Sequence, residues 1–312
     1  MASLTIIRPG LLTTVQDHGR WGRQGSGVPV AGPMDPYSHR LANDLVGNEE
    51  SAAALEVTLI GPELQADADL LCAVAGARFR VTVNGRDVAM HRPFEVPAGA
   101  RLRFGERSAG ARASLAVQGG LDVETRFGSR ATSLISQMGP FGGRALAAGD
   151  VLPVGSPRGF SPKRAGDDRV VPLELPSGGA SLRVLRGPHE SRFTARAFET
   201  LFAGRYVVTP HSNRMGYRLD GPPLEHADGA DVLSDATPIG SLQVPASGQP
   251  ILLMADRQTT GGYPRIATVI GADIPLAGQL APGDWIAFAP GDRAEAIDAL
   301  REQRARVEGR GR

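Results

Sequence analysis

The chain has 312 residues, 34 basic and 33 acidic side chains, a net charge of +1 and 41% hydrophobic residues. It is long enough for one large core or two ordinary ones, and its charge balance gives no electrostatic reason to expect a nucleic-acid partner. No apolar run approaches the roughly 18 residues of a membrane span, and the single cysteine, Cys72, forms no internal disulfide.

Forty glycines and 24 prolines separate short segments rich in Val, Leu, Ile and Thr, the pattern of many strands joined by turns, so the expected class is mainly β with few helices. The N-terminal MASLTIIRPGLL lacks the basic stretch and long apolar run of a secretion signal, which makes the cytoplasm the expected compartment. The first polar interruption is TTVQDHGRWGRQGSGVPVAGPMDP, carrying Gln16, Asp17, His18, Arg20 and Asp35. Its glycine-rich loop suits close backbone approach to a ligand, and equally a hairpin loop in which Asp17 closes an Asx turn. DPYSHRLANDLVGN then predicts a helix, with Asp35 and Pro36 at its start, Tyr37, Leu41, Leu45 and Val46 near one face, and Gly47 at its stop.

From residue 70 to about 106 the chain reads as consecutive strands, including the alternating FRVTV followed by Asn84-Gly85, a two-residue hairpin turn. Residues 156–179 are rich in Pro, Gly and charge and read as a linker. It contains Lys163, the only lysine, in SPKRAGDDR. A Walker loop, a Schiff-base enzyme and a biotin carrier each need a lysine in a particular setting, and Lys163 has none of them.

Beyond the linker, SRFTARAFETLFAG predicts a second helix with Phe193, Ala197, Phe198, Leu201 and Phe202 on its apolar face. SNRMGYRLDGPPL follows, where Arg214, Tyr217 and Arg218 offer forks for a carboxylate or phosphate, or form a surface turn pairing Arg218 with Asp220. The densest polar stretch is MADRQTTGGYPRIATVIGADIP, with Asp256, Arg257, Gln258, Thr259, Thr260, Gly261, Gly262 and Tyr263 between two apolar runs. A loop held at a strand end is where binding groups are preferentially mounted. The six histidines show no zinc spacing, no G-x-S-x-G elbow is present, and GSGVPVAG does not follow a strand and open a helix as a dinucleotide loop would.

Together, GLLTTVQDHGRWG, GVPVAGPMDPYSHRLANDLVGN, ALEVTLIGPEL, SNRMGYRLDGPPL and MADRQTTGGYPRIATVIGADIP resemble the biotin-dependent carboxyltransferase family. That family takes in the C subunits of 5-oxoprolinases, Kip antagonists and the allophanate hydrolase subunit 2 region of urea carboxylases. The resemblance implies a two-lobed β-rich protein of cyclophilin-like barrel architecture: an N-terminal lobe over 1–155, the linker, a barrel lobe over 180–290 and a helix or tail over 291–312. It also implies a hydrolase component that works only within a complex, the C subunit joining an A subunit and a Kip inhibitor-like B subunit to open 5-oxoproline to glutamate. ATP would be consumed by that complex, at a site the sequence does not locate.

One alternative is a carboxyltransferase component of a urea carboxylase-type system, with biotin on another protein. Another is a non-catalytic antagonist of a Kip inhibitor-like protein. On the family pattern a shared pocket takes Gln16, Asp17, Arg20 and Asp35 from the first lobe. From the second it takes Arg214, Arg257, Gln258, Thr259, Thr260, Gly261 and Gly262 as substrate-binding groups, with Asp256, Tyr217 and Tyr263 catalytic. Arg214 is the expected anion fork, Asp256 the proton-handling carboxylate, the backbone of residues 259–262 a donor nest, and no metal is expected.

Overall fold

The computed structural model describes residues 2–157 and 171–307. Lys163 and most of the expected linker lie outside the described residues. The architecture is mainly β, as the strand pattern leads one to expect, and divides into two compact units. The first comprises the described residues of Met1–Arg20, Ala31–Leu175 and Ala305–Arg312; the second comprises Trp21–Val30 and Pro176–Arg304.

Unit 1 is built on a nine-stranded sheet: β1 (Ser3–Arg8), β2 (Leu12–Gln16), β3 (Ala54–Thr58), β4 (Glu63–Ala66), β5 (Leu70–Val83), β6 (Arg86–Val88), β7 (Pro93–Val96), β8 (Arg101–Val117) and β9 (Val151–Pro153). The main path runs β2-β3-β8-β4-β1-β9, and β5 pairs with β6, β7 and β8. The long strand β5 changes character along its length. Its second half alternates, with Phe79, Val81 and Val83 buried and Arg78 and Arg80 exposed, as a sheet with one wet face requires.

The first half of β5 is buried on both faces. Cys72 and Val74 join the main core, while Ala73 and Ala75 pack under helix α1 (Pro36–Leu45) with Tyr37, Leu41 and Leu45. That helix starts as its sequence dictates. The Asp35 carboxylate accepts from the Ser38 amide at 2.9 Å and Pro36 occupies the first turn. The hairpin forms at Asn84-Gly85, both with positive φ (48° and 81°), and pairs Val83 with Arg86.

Unit 2 contains β10 (Gly179–Arg186), α2 (Ala195–Ala203), β11 (Arg205–Val208), β12 (Gly216–Asp220), β13 (Asp235–Ala236), β14 (Ser241–Gln243), β15 (Ile251–Leu253), β16 (Thr260–Gly261), β17 (Arg265–Val269), α3 (Ile274–Gly278), β18 (Trp285–Pro290) and α4 (Arg293–Val307), whose last residues belong to unit 1. Thr194 caps α2 through its hydroxyl, which accepts from the Ala197 amide at 3.1 Å.

Seven of the strands close into a barrel in the order β10-β17-β14-β15-β12-β11-β18, with β10 parallel to β18 and every other pairing antiparallel. Closure gives each barrel strand a neighbour on both sides, so no strand is left as an open sheet edge. Alternation along the strands fills the centre: Tyr206 and Val208 are buried where Arg205 and Val207 are exposed, and the Tyr206 and Phe288 rings lie 5.8 Å apart. Strand β14 departs from this pattern, because Ser241, Leu242 and Gln243 are all buried.

The cover over β14 comes from the short ladder β13–β16, which pairs Asp235 with Gly261 and Ala236 with Thr260. Arg265, on β17, fastens it by donating to the Ala236 carbonyl and to Asp235. Among the described residues no helix is long and apolar enough to cross a membrane.

Candidate functional site

In unit 1 the expected site residues serve as local anchors. Gln16, at the end of β2, donates through Nε2 to Thr14 Oγ1 and to the Thr132 carbonyl, both at 3.0 Å, and its buried Oε1 has no partner. Asp17 closes the turn by accepting from the Gly19 amide at 2.9 Å. It also accepts from Ser129 Oγ at 2.5 Å and the Arg130 amide at 2.6 Å. Arg20 donates to the carbonyls of Arg126 and Ala131. The carboxylate of Asp35 accepts from the Ser38 hydroxyl at 2.5 Å in addition to the capping amide.

Two histidines that carry no spacing signal lie beside these anchors. The rings of His18 and His39 have centroids 6.0 Å apart. His39 is wholly buried, its Nε2 lies 3.3 Å from Asn43 Nδ2, and its Nδ1 has no partner. Burial first, then the neighbouring His18, pushes the His39 pKa down to about 4. Burial and Arg40 also lower the pKa of His18.

In unit 2, backbone hydrogen bonds from Met254 to Met215 and from Asp256 to Arg214 extend the β12–β15 pairing to the strand ends. This brings Arg214 against Asp256 as a two-pronged ion pair: Nε to Oδ2 and Nη2 to Oδ1, each 3.1 Å, with both side chains buried. The fork expected to hold an external anion thus holds an internal carboxylate. Tyr217, on β12, is buried and donates to the carbonyls of Ala277 (3.1 Å) and Leu280 (3.3 Å). Tyr263 is 43% exposed. Thr260 and Gly261 lie in a ladder with Ala236 and Asp235, and Gly261 and Gly262 have no left-handed φ. This backbone is therefore laid out as sheet, without the alternating conformations of an anion nest.

Residues 257–259 turn towards a cavity of about 280 Å³ within this unit. Its walls are largely apolar: Trp21 and Val30 from the segment Trp21–Val30, and Ala236, Pro238 and Ile239 from the stretch after β13. Arg257, Gln258, Thr259 and Thr237 supply the polar groups, and Gln24 joins them. Arg257 is only 7% exposed; its Nε donates to the Thr237 carbonyl at 2.8 Å, while Nη1 reaches towards the Met254 carbonyl at 3.5 Å. Burial lowers its pKa to about 10, partly offset by Asp256, so it stays a cation at neutral pH. The Thr237 hydroxyl donates to the Gln258 carbonyl, and Gln258 Nε2 donates to Oε1 of the buried Gln243 at 3.0 Å.

Residues 26–290 match the family described as carboxyltransferase domain, subdomain A and B. The chain belongs to that family. Among curated carboxyltransferase-domain relatives, the C subunit of 5-oxoprolinase from Escherichia coli is 38% identical over 300 residues, spanning 96% of this chain and 95% of its own. Urea amidolyase of Saccharomyces cerevisiae is 33% identical over 311 residues, but that match covers only 16% of its length. The crystal structure of Kluyveromyces lactis urea amidolyase superposes with a TM-score of 0.94 at 32% identity, covering 99% of this chain and 20% of that one. The carboxyltransferase domain is thus a whole polypeptide in one relative and a small part of a long chain in the others.

Sequence reasoning named Arg257, Gln258 and Thr259 but missed Trp21, Gln24, Val30, Thr237, Pro238, Ile239 and Gln243. One usable signal was Gln243 itself, a polar side chain inside the strand pattern SLQV. Trp21 and Val30 gave none, since nothing in a glycine-rich loop says which unit it joins. Among the described residues no group of three or more His, Cys, Asp and Glu is placed to hold a metal ion.

Proposed function

We propose that this carboxyltransferase-domain protein is the C subunit of an ATP-dependent 5-oxoprolinase, acting with the A and B subunits to open the lactam of 5-oxoproline to glutamate. The observation that carries this reading is the end-to-end match to the Escherichia coli 5-oxoprolinase C subunit, over 96% of this chain and 95% of that one. In this reading the cavity bounded by Arg257 and Gln258 holds the lactam. A lactam is a resonance-stabilised amide and opens only when its carbonyl is activated, which is the chemistry ATP supplies to the complex.

Nothing in the chain's motifs suits the nucleotide. There is no glycine-rich loop ending in lysine, so the sequence does not locate the ATP that the complex would use. Asp256, with both oxygens on Arg214, and Tyr217, with its hydroxyl against two carbonyls, are tied to protein groups at the end of β15 and on β12, next in sequence to the cavity-lining Arg257 in the first case. Tyr263 is exposed and does not line the cavity, so in this reading its phenol is offered to a partner subunit.

The likeness to urea amidolyase supports a second reading, transfer of a carboxyl group from carboxybiotin on another protein to urea. One assay separates the two. The chain is co-purified with the A and B subunits and supplied with ATP and 5-oxoproline, and glutamate and ADP are expected. Turnover of urea with carboxybiotin, and none of 5-oxoproline, would replace the first reading by the second.

A further inference from the structure

The charges around the cavity do not balance. Asp256 forms its ion pair with Arg214, and among the described residues Arg257 makes no ion pair although it is only 7% exposed to solvent. Among the described residues its Nη2 has no acceptor. A buried cation without a counter-ion is costly, and an entering anion removes that cost. A guanidinium edge matches a carboxylate best, because two N–H groups meet two oxygens.

The next residue offers the opposite chemistry. The Gln258 side chain spends Nε2 on Gln243 Oε1 (3.0 Å), which leaves Gln258 Oε1 as an acceptor with no protein donor. Gln243 is 1% exposed and fixed in β14, so the orientation of the Gln258 amide is held from behind. Two consecutive residues on one cavity wall thus present a cationic donor and a neutral acceptor. Val30, Pro238 and Ile239 offer apolar surface in the same cavity, whose volume suits a single small ring.

We propose that the cavity selects a lactam bearing a carboxylate on the carbon next to its ring nitrogen. Arg257 takes the carboxylate, Gln258 Oε1 accepts from the ring N–H, and Gln243 is a positioning residue that sets the Gln258 amide. The apolar wall covers the ring methylenes. This rests on the 5-oxoprolinase reading and extends it, since it makes this chain the component that discriminates the substrate. Urea carries no carboxylate and is refused at Arg257.

The test is calorimetric titration of the full chain, and of its complex with the A and B subunits, with four probes: 5-oxoproline, 2-pyrrolidinone, cyclopentanecarboxylate and urea. 2-Pyrrolidinone lacks the carboxylate and cyclopentanecarboxylate lacks the N–H, so each is expected to bind at least about tenfold more weakly than 5-oxoproline, and urea not at all. Arg257→Lys should weaken 5-oxoproline and cyclopentanecarboxylate alike. Gln258→Leu and Gln243→Leu should abolish the advantage of 5-oxoproline over cyclopentanecarboxylate while leaving the latter unchanged.

Equal binding of 5-oxoproline and 2-pyrrolidinone by the unmodified protein overturns the proposal without reference to any variant, as does absence of 5-oxoproline binding in chain and complex alike. So does a Gln258→Leu loss that is equal for both carboxylates. The two readings fail separately. A complex that makes glutamate with an unchanged KM in Arg257→Lys and Gln258→Leu defeats the selection proposal only. A chain showing the expected probe order in a complex that makes no glutamate defeats the 5-oxoprolinase reading only.

Discussion

Asp256 and Arg214 are 42 residues apart in the chain and meet as a buried pair whose four contacting atoms are all hydrogen bonded. Removing Asp256 takes a two-pronged partner from a buried guanidinium, so Asp256→Ala is expected to destabilise the protein by about 3–5 kcal/mol in urea denaturation. The near-isosteric Asp256→Asn, which keeps an acceptor oxygen for Arg214 but loses the charge, should cost less than Asp256→Ala, and equal losses would show that the charge rather than the geometry carries the pair. The sequence shows both residues as chemistry-bearing types, yet their partnership depends on β12 lying beside β15, which no local pattern reveals. His39 makes a second residue-scale case. Its folded pKa is about 4 and its ordinary value 6.5, so between those limits the unfolded chain binds a proton that the native protein refuses. Stability from this group is therefore complete above pH 6.5 and falls by about 1.4 kcal/mol per pH unit as the pH drops towards 4. Denaturation midpoints measured over that range should show the slope, and His39→Gln should remove His39's share of it.

Among the elements, legibility follows how local the determining chemistry is. Helix α1 and the Asn84-Gly85 hairpin are written in adjacent residues, a capping aspartate with its proline in one case and a pair that accepts positive φ in the other. The register shift in β5 is not written locally. Gly76 has φ of 103° beside a register shift against β8, and a Cβ there would sit 2.5 Å from the carbonyl oxygen of Arg112, a residue far along the chain. The two glycines separate backbone strain from steric conflict. Gly85→Ala meets open space and should cost only about 1 kcal/mol, the penalty of the left-handed conformation. Gly76→Ala suffers a comparable strain and must also displace a neighbouring strand, so about 3 kcal/mol or more is expected. Comparable denaturation midpoints for the two variants would show that β8 yields at that point.

For the whole molecule, the sequence reads as two contiguous lobes, whereas the coordinates group Trp21–Val30 with the barrel unit although its flanking residues belong to unit 1. Sequence adjacency favours assigning a loop to the strands it leaves, and a segment with no buried hydrophobic stripe carries no contrary mark. The consequence is functional, because that segment supplies Trp21 and Val30 to the Arg257 cavity. The chain has two tryptophans, and they are differently placed. Trp21 is 60% exposed at the cavity, while Trp285 starts β18, packs against the Gly179 backbone and lies under the Arg205 guanidinium at 4.4 Å. Ligand entry should therefore alter the environment of Trp21 and leave Trp285 unaffected. Titration with 5-oxoproline is expected to change tryptophan fluorescence in the unmodified chain and in Trp285→Phe, and to leave Trp21→Phe silent. Trp21→Ala should also weaken binding severalfold through lost apolar contact. A signal that survives in Trp21→Phe and disappears in Trp285→Phe would place the ligand near the start of β18 and away from the residues that line this cavity.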